Sequence, residues 1–216
     1  RKFPHAKTRT SEENTEENNA KEIDLHRSIP FLPITEAWQI TTCTVFGLTL
    51  CKIVQVSSAE IAGMPSLTRT IRGDGNCFYR AISYLISGTE EHHNIIRGFL
   101  LQHMLQIRTI ARVNDMQVYV NQHGLRAWAN EKEIFMMAHL LKTDICVYST
   151  RFGGWQTHSG HFLDPNLQIS WQKLYISHPS ENHYEVVLST QLSILGRAES
   201  SKMTNRYIYN QVIVKF

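Results

Sequence analysis

Apolar residues recur at helical spacing through the middle of the chain and at strand spacing after it. Helical spacing predicts helices at 79–86, about 90–107 and 115–122, with a fourth beginning near Asn130. Short apolar runs bounded by turn residues then predict strands at 144–149, 155–158, 173–177 and 183–188. Helices followed by a sheet indicate an α+β domain that covers about residues 66–190.

The segments on either side of this domain differ from it in composition. Residues 1–28 are rich in Glu, Asn, Lys and Thr and nearly lack apolar periodicity, which is typical of a flexible leader. Residues 38–56 are dense in β-branched residues and predict one or two strands within a β-like extension over 29–65. The C-terminal extension, 191–216, contains an alternating stretch at 207–214 that predicts one further strand.

The predicted second helix has the fullest set of local signals. Thr89 is expected to cap it, with acidic residues in its first turn. The stripe expected to face the core consists of Ile95, Ile96, Phe99, Leu100 and Met104.

Composition narrows the class of protein further. The chain has 216 residues, of which 42% are hydrophobic and 19% charged, as in an ordinary globular protein. A net charge of +3 without a dense Lys/Arg stripe argues against nucleic-acid binding. No run of 18 apolar residues is present, so we expect no membrane span.

The four cysteines stand far apart and form no C-x-x-C pair, so neither a zinc ribbon nor a disulfide framework is predicted. Reduced thiols in the cytoplasm or nucleus are the simpler interpretation. Cys146 lies between apolar residues on a predicted strand and is interpreted as a small buried hydrophobe. Cys43 and Cys51 fall in the β-like segment, where a structural or incidental role is favoured.

Cys77 has a different setting, because a polar turn with two glycines leads directly into it at the start of a helix. Unpaired N–H groups and the helix dipole favour negative charge there, which lowers the pKa of a thiol. The residues alone leave a nucleophilic Cys77 and a buried structural thiol equally open. A nucleophile would also need a histidine base elsewhere in the chain.

His183 is the best-placed base among eleven histidines. On a strand it shares one face with Glu185, while Tyr184, Val186 and Leu188 point to the opposite, core face. A carboxylate two residues on can orient an imidazole and stabilise its protonated form. His92 and His93 are adjacent on a helix, a spacing that does not favour a shared metal. The histidines without a carboxylate at strand spacing, interpreted as surface or hydrogen-bonded core residues, are His103, His123, His139, His158, His161 and His178.

Three separated blocks, 73–81, 128–148 and 182–187, resemble in this order the OTU (ovarian tumour) family of cysteine proteases, most of which are deubiquitinases. The first contains Gly-Asp-Gly-Asn-Cys, and the third is the Asn-His-Tyr that opens a strand. The resemblance implies a papain-like cysteine protease architecture of the OTU type, with helices packed on a small, mostly antiparallel sheet.

The resemblance also assigns roles to particular residues. It implies that Cys77 is the nucleophile and His183 the general base. Many members carry Asp or Asn two residues after the histidine, whereas this chain has Glu185, so that either Asp74 or Glu185 is expected to orient His183. The implied oxyanion hole consists of the backbone N–H groups of Asp74, Gly75, Asn76 and Cys77.

The activity implied is thiol-dependent hydrolysis of the isopeptide bond after the C-terminal glycine of ubiquitin or a ubiquitin-like protein. It needs no metal or organic cofactor, and we expect a monomer. One alternative is an OTU-fold module with weak or no catalysis that binds ubiquitin or another protein. A papain-like peptidase is a weaker alternative, because the Q-x-x-x-C-G-x-C-W surroundings of that class are absent.

Overall fold

The computed structural model describes residues 30–57, 61–107, 116–123, 127–180 and 182–191. The leader predicted at 1–28 and the strand predicted at 207–214 lie outside these residues.

Helices and strands follow the order that the sequence predicts over most of the domain. The helices are α1 (Glu36–Phe46), α2 (Cys77–Ser87), α3 (His93–Ile107), α4 (Met116–His123) and α5 (Glu131–Leu141), with a short 3₁₀ turn at Gly160–Phe162. The strands are β1 (Met64–Arg69), β2 (Thr143–Ser149), β3 (Gly154–His158), β4 (Ser170–Ser180) and β5 (His183–Gln191). No helix within the described ranges has the length and apolar character needed to cross a membrane.

The strands form one sheet in the order β1-β5-β4-β2-β3. Strands β2 and β4 are parallel, whereas the other three neighbouring pairs are antiparallel. The fold is therefore α+β with a mostly antiparallel sheet, which confirms the predicted fold class. Strand β5 lies between β1 and β4, because Val186 is the register partner of both Arg69 and Ile176. The start of β5 is thus held from both sides.

Helix α2 is the centre of the core, and all eleven of its residues are buried. It packs against α1, α3 and one face of the sheet, with apolar side chains from each element in one continuous cluster. A second, smaller cluster of Phe31, Cys146, Tyr175 and Val187 includes residues of β2, β4 and β5. Burial on every side fixes the position of α2, and with it the position of its N-terminal residue, Cys77.

The β-like interpretation of residues 38–56 is wrong, because the first part of this segment is helix α1. The Thr35 hydroxyl accepts a hydrogen bond from the Trp38 N–H at 3.4 Å, and Gly47, at φ 60°, ends the helix. The buried Gln39 side chain donates to the Val54 carbonyl at 3.0 Å and accepts from its N–H at 2.9 Å. Such tertiary contacts override the weak strand preference of β-branched residues.

The sequence patterns do not predict strand β1, which contains Pro65. Proline is compatible with a strand at the edge of a sheet, which is where β1 lies. Five of its six residues are exposed, so the alternating pattern that signals a strand is absent.

Helix α3 begins later than predicted, and its buried stripe includes Ile96, Leu100 and Met104 of the predicted one. It starts at His93, and the Thr89 hydroxyl accepts from the Glu91 N–H at 3.3 Å in the turn before the helix. Ile95 is 50% exposed. The buried stripe consists of His93, Ile96, Arg97, Leu100, Met104 and Ile107. An arginine therefore occupies a core position of this helix.

Candidate active site

The turn before Cys77 requires glycine at one position for two reasons. Gly75 has φ 84°, in the left-handed region that glycine adopts without strain. A Cβ at this position would also lie 2.9 Å from Nε1 of Trp128. The Trp128 indole therefore packs directly against the turn, while 54% of the residue stays exposed.

A charged clamp holds the same turn from the other side. The Arg80 Nε donates to both carboxylate oxygens of Asp74, at 3.1 and 3.0 Å, and Nη2 donates to Oδ2 at 2.6 Å. Arg80 is only 4% exposed. The hydrogen bonds from Arg80, helped by one from the Asn76 N–H, lower the pKa of Asp74 to about 2. Asp74 is therefore a carboxylate at neutral pH, and it faces Arg80.

The Asn76 side chain does not cap the helix that it precedes. Asparagine at an N-cap position usually accepts from an N–H of the first turn, but no such bond is present in α2. Its Oδ1 instead accepts from Nη1 of Arg97 at 2.7 Å. The first turn of α2 thus keeps its N–H groups free of a side-chain cap.

Cys77 is buried, with 5% of its surface exposed, and its Sγ lies 3.6 Å from the Asn182 carbonyl oxygen. Burial raises the pKa of the thiol, and the Asp74 carboxylate adds to this effect. The backbone N–H groups of Tyr184, Phe78 and Cys77 itself act in the opposite direction. The structure therefore brings the N-terminus of α2 against the start of β5.

The His183 ring lies beside this turn. A Cβ on Gly73 would be 3.7 Å from its Nδ1 and 3.8 Å from its Cε1, which is ordinary van der Waals contact. His183 is half-buried, while the neighbouring Tyr184 is buried, as the predicted alternation along the strand requires. The predicted nucleophile, turn and base thus come from two elements about a hundred residues apart in sequence that meet in space.

Neither carboxylate predicted to orient His183 makes a hydrogen bond to its ring within the described part of the chain. Asp74 is bound to Arg80. Glu185 lies on β5 opposite Ser177 of β4. Among the predicted oxyanion donors, the Asn76 N–H donates to Asp74 Oδ1 at 3.0 Å and is occupied in this arrangement.

Sequence reasoning did not single out Arg80, Arg97, Trp128 or the Asn182 carbonyl. Arg80 follows Tyr79 in a helix without any exposed residue, and Arg97 stands in an apolar stripe. An arginine at a core position of a helix is unusual enough to mark a buried partner, so this signal was available. The Trp128 and Asn182 contacts depend on loop conformation and left no such signal.

The other cysteines lie away from this site. Cys146 is fully buried, and burial raises the pKa of its thiol to about 11. The Cys43 Sγ donates to the Ile86 carbonyl at 3.4 Å, whereas Cys51 is exposed. Burial confirms the interpretation of Cys146 as a small core residue.

The histidines outside the site include a hydrogen-bonded pair, of which His139 is buried and His103 half-buried. His103 Nε2 and His139 Nδ1 share a hydrogen bond of 2.9 Å, as expected for hydrogen-bonded core residues. Burial lowers the pKa of both rings, that of His103 to about 4, so that both are neutral at pH 7. The described ranges contain no cluster of three or more His, Cys, Asp or Glu side chains arranged to bind a metal.

Solved structures similar to this chain are OTU domains at low sequence identity. The viral OTU domain protease from Farallon virus is 20% identical, with a TM-score of 0.44, over 56% of this chain and 82% of that one. The OTUD1 OTU domain is 23% identical, with a TM-score of 0.45, over 55% and 83%. The Hazara virus OTU bound to ubiquitin is 14% identical, with a TM-score of 0.41, over 56% and 79%.

Sequence comparison gives a more direct result. A curated relative, the OVARIAN TUMOR DOMAIN-containing deubiquitinating enzyme 7 of Arabidopsis thaliana, is 23% identical over 136 residues, which is 59% of this chain. The chain spans about a third (34%) of the length of that relative. The family profile for OTU-like cysteine proteases matches residues 72–184, just over half of the 216 residues. The match begins at the polar turn and ends within the first residues of β5, so the chain belongs to the OTU-like cysteine protease family.

Proposed function

We propose that this chain is a deubiquitinase that hydrolyses the isopeptide bond after the C-terminal glycine of ubiquitin or a ubiquitin-like protein. The observation that carries the proposal is the meeting of the Cys77 thiol with the start of β5. The Sγ lies 3.6 Å from the carbonyl of Asn182, the residue directly before His183. The family match and the Arabidopsis relative, whose name describes a deubiquitinating enzyme, support this substrate class.

In the proposed reaction, His183 accepts the thiol proton as Cys77 Sγ attacks the glycine carbonyl carbon. A tetrahedral oxyanion forms, and its collapse expels the lysine amine, to which His183 returns the proton. The product of this step is a thioester between Cys77 and the ubiquitin C-terminus. Water then attacks the thioester with His183 as base, and releases a free carboxylate and the thiol.

The oxyanion would lie at the N-terminus of α2. Backbone N–H groups that are fixed before the reaction stabilise the developing negative charge. Removal of one such donor costs about 3 kcal/mol of transition-state stabilisation in comparable sites. The first-turn N–H groups of α2 suit this role, because Asn76 does not cap them. The left-handed conformation of Gly75 shapes the turn that presents them.

Covalent labelling tests the proposal. A ubiquitin carrying a C-terminal electrophile should form a 1:1 adduct whose mass maps to Cys77. The matched control is Cys51→Ala, which removes an exposed thiol and should leave labelling unchanged, whereas Cys77→Ala should abolish it. Absence of an adduct, or an adduct that survives Cys77→Ala, would refute the assignment.

A binding module with little turnover is the second candidate. It is favoured by the raised pKa of the Cys77 thiol and by the lack of a carboxylate hydrogen bond to His183 within the described residues. The two candidates separate with linkage-defined di-ubiquitins. Binding without cleavage, unchanged by Cys77→Ala, would favour the module, while cleavage that depends on Cys77 favours the enzyme.

A further inference from the structure

We propose that Arg97 is a positioning residue that holds the turn before Cys77 and the neighbouring Trp128 in one fixed arrangement. The proposal deepens the function proposed above and rests on it. Arg97 does not reach the reacting atoms and acts through Asn76 and Ala127, which it contacts directly.

The cost of burying Arg97 shows that its contacts are specific. The side chain is 1% exposed, although a guanidinium loses much hydration energy when it leaves water. Its Nη1 donates to Asn76 Oδ1 at 2.7 Å, and Nη2 donates to the Ala127 carbonyl at 2.6 Å. The guanidinium also lies 4.5 Å from the centre of the Tyr79 ring. One planar group thus joins two chain segments that are about fifty residues apart.

The contact with Asn76 decides what the helix N-terminus can bind. A free asparagine side chain at this position would accept from first-turn N–H groups of α2. Those are the groups proposed to stabilise the thiolate and the oxyanion. Because Arg97 holds the Asn76 oxygen, the N–H groups remain available.

The contact with Ala127 fixes the opposite side of the turn. Trp128, the next residue, packs on Gly75, where a Cβ would come within 2.9 Å of its Nε1. On its C-terminal side this segment is tied to α5 by a capping box between Asn130 and Glu133. Arg97 supplies the tie on the N-terminal side, so that Trp128 is held from both ends.

Arg97→Lys is the primary test. Lysine keeps the charge but lacks the planar fork that reaches two acceptors at once. We expect kcat for di-ubiquitin cleavage to fall about 10- to 100-fold with KM changed less than about threefold, since the oxyanion site is disturbed rather than ubiquitin binding. The matched control is Arg69→Lys. Arg69 also lies over a tyrosine ring, that of Tyr84 at 4.5 Å, but does not contact the turn, and its variant should stay within about twofold of the parent.

A double-mutant cycle shows whether Arg97 acts through Asn76. Asn76→Ala alone should lower kcat less than Arg97→Lys does, because it removes the tether but also removes the side chain that could cap the N–H groups. Asn76→Ala combined with Arg97→Lys should be no slower than Arg97→Lys, because the tether is already absent. Losses that multiply, or a kcat for Arg97→Lys within twofold of the parent, would overturn the proposal. If thermal unfolding shows that Arg97→Lys does not fold, Arg97→Gln takes its place under the same kcat criterion.

Alkylation of Cys77 gives a readout that needs no substrate. The rate of iodoacetamide modification, followed on the Cys77 peptide by mass spectrometry, should rise at a higher pH in Arg97→Lys than in the parent, by about half a unit or more, because fewer N–H groups stabilise the thiolate. A profile identical to that of the parent would contradict the proposal. If the parent cleaves no conjugate, the proposed function fails, but this profile still decides whether Arg97 positions the turn.

Discussion

Cys77 and Cys146 are both buried, but they occupy different regions of the fold. Burial raises the pKa of each thiol, that of Cys146 to about 11. Cys146 lies within strand β2, 3.5 Å from the Thr157 hydroxyl. Cys77 begins a helix, where the N–H groups of Phe78 and Tyr184 oppose the effect of burial. Burial therefore does not distinguish the two thiols, whereas the backbone groups around each sulfur do.

The largest difference between the two thiols should appear on replacing each by alanine. Cys77→Ala should reduce ubiquitin-conjugate hydrolysis to background, because the nucleophile is gone. Cys146→Ala should keep activity within about twofold and lower the free energy of unfolding by about 1 kcal/mol through lost packing. Hydrolysis assays and urea unfolding measure the two effects. A Cys146→Ala variant that folds but is inactive would break the comparison.

The second prediction concerns His183, whose ring lies beside the turn that leads into Cys77. His183→Gln should lower kcat by about 10²- to 10⁴-fold, since the variant cannot accept the thiol proton. The exposed His161, in the 3₁₀ turn, provides the control, and His161→Gln should leave kcat within about twofold. Single-turnover cleavage of di-ubiquitin distinguishes the two variants. Equal rates for His183→Gln and the parent would rule out His183 as the base.

The spacing of apolar residues predicted those helices and strands in which the apolar residues are also the buried ones. Helix α5 begins where the sequence predicts, directly after Asn130, which forms a capping box with Glu133. Helix α1 was missed because its β-branched residues pointed to strands, while Gln39 and its partner Val54 decided otherwise. Such a contact involves a residue fifteen positions away, which periodicity within a short window does not register.

The candidate site likewise has some parts that local sequence features predict and others that they do not. The positions of Cys77 and His183 follow from a helix N-terminus and a strand start, which are local features, and the structure places them near each other. The partners of Arg80 and Arg97 depend on three-dimensional packing. Sequence reasoning offered Asp74 to His183, whereas the structure gives it to Arg80. The catalytic roles of these residues remain predictions.

A third prediction compares Asp74 and Glu185, the two carboxylates that the sequence offers as partners of His183. Asp74→Asn should lower kcat about tenfold, because the clamp that Arg80 makes on the turn is weakened. It should also let Cys77 be alkylated at lower pH, because the negative charge of Asp74 raises the pKa of that thiol. Glu185→Gln should change kcat less than about threefold, since Glu185 makes no hydrogen bond to His183 among the described residues. A larger loss for Glu185→Gln than for Asp74→Asn would assign the orientation of His183 to Glu185.

The smallest effect concerns acid stability at the same turn. The pKa of Asp74 is lowered from 3.8 to about 2 in the folded protein, first of all by the hydrogen bonds from Arg80. The unfolded chain therefore takes up this proton at higher pH than the folded protein does. The stabilisation is fully present well above pH 3.8 and is lost as the pH falls through about 2. The difference in unfolding free energy between the parent and Asp74→Asn should accordingly be constant above about pH 5 and shrink from there to pH 2.

Urea unfolding at closely spaced pH values measures this difference, and Glu185→Gln serves as the comparison at a carboxylate that Arg80 does not bind. A difference between the parent and Asp74→Asn that keeps its size down to pH 2 would mean that Arg80 does not lower the pKa of Asp74 in solution. Asp74 would still carry its charge at neutral pH, but the hydrogen bonds from Arg80 would be too weak in solution to fix the turn before Cys77. The difference between Cys77 and Cys146 would then depend on the backbone N–H groups around the Cys77 sulfur and not on a clamped turn before it.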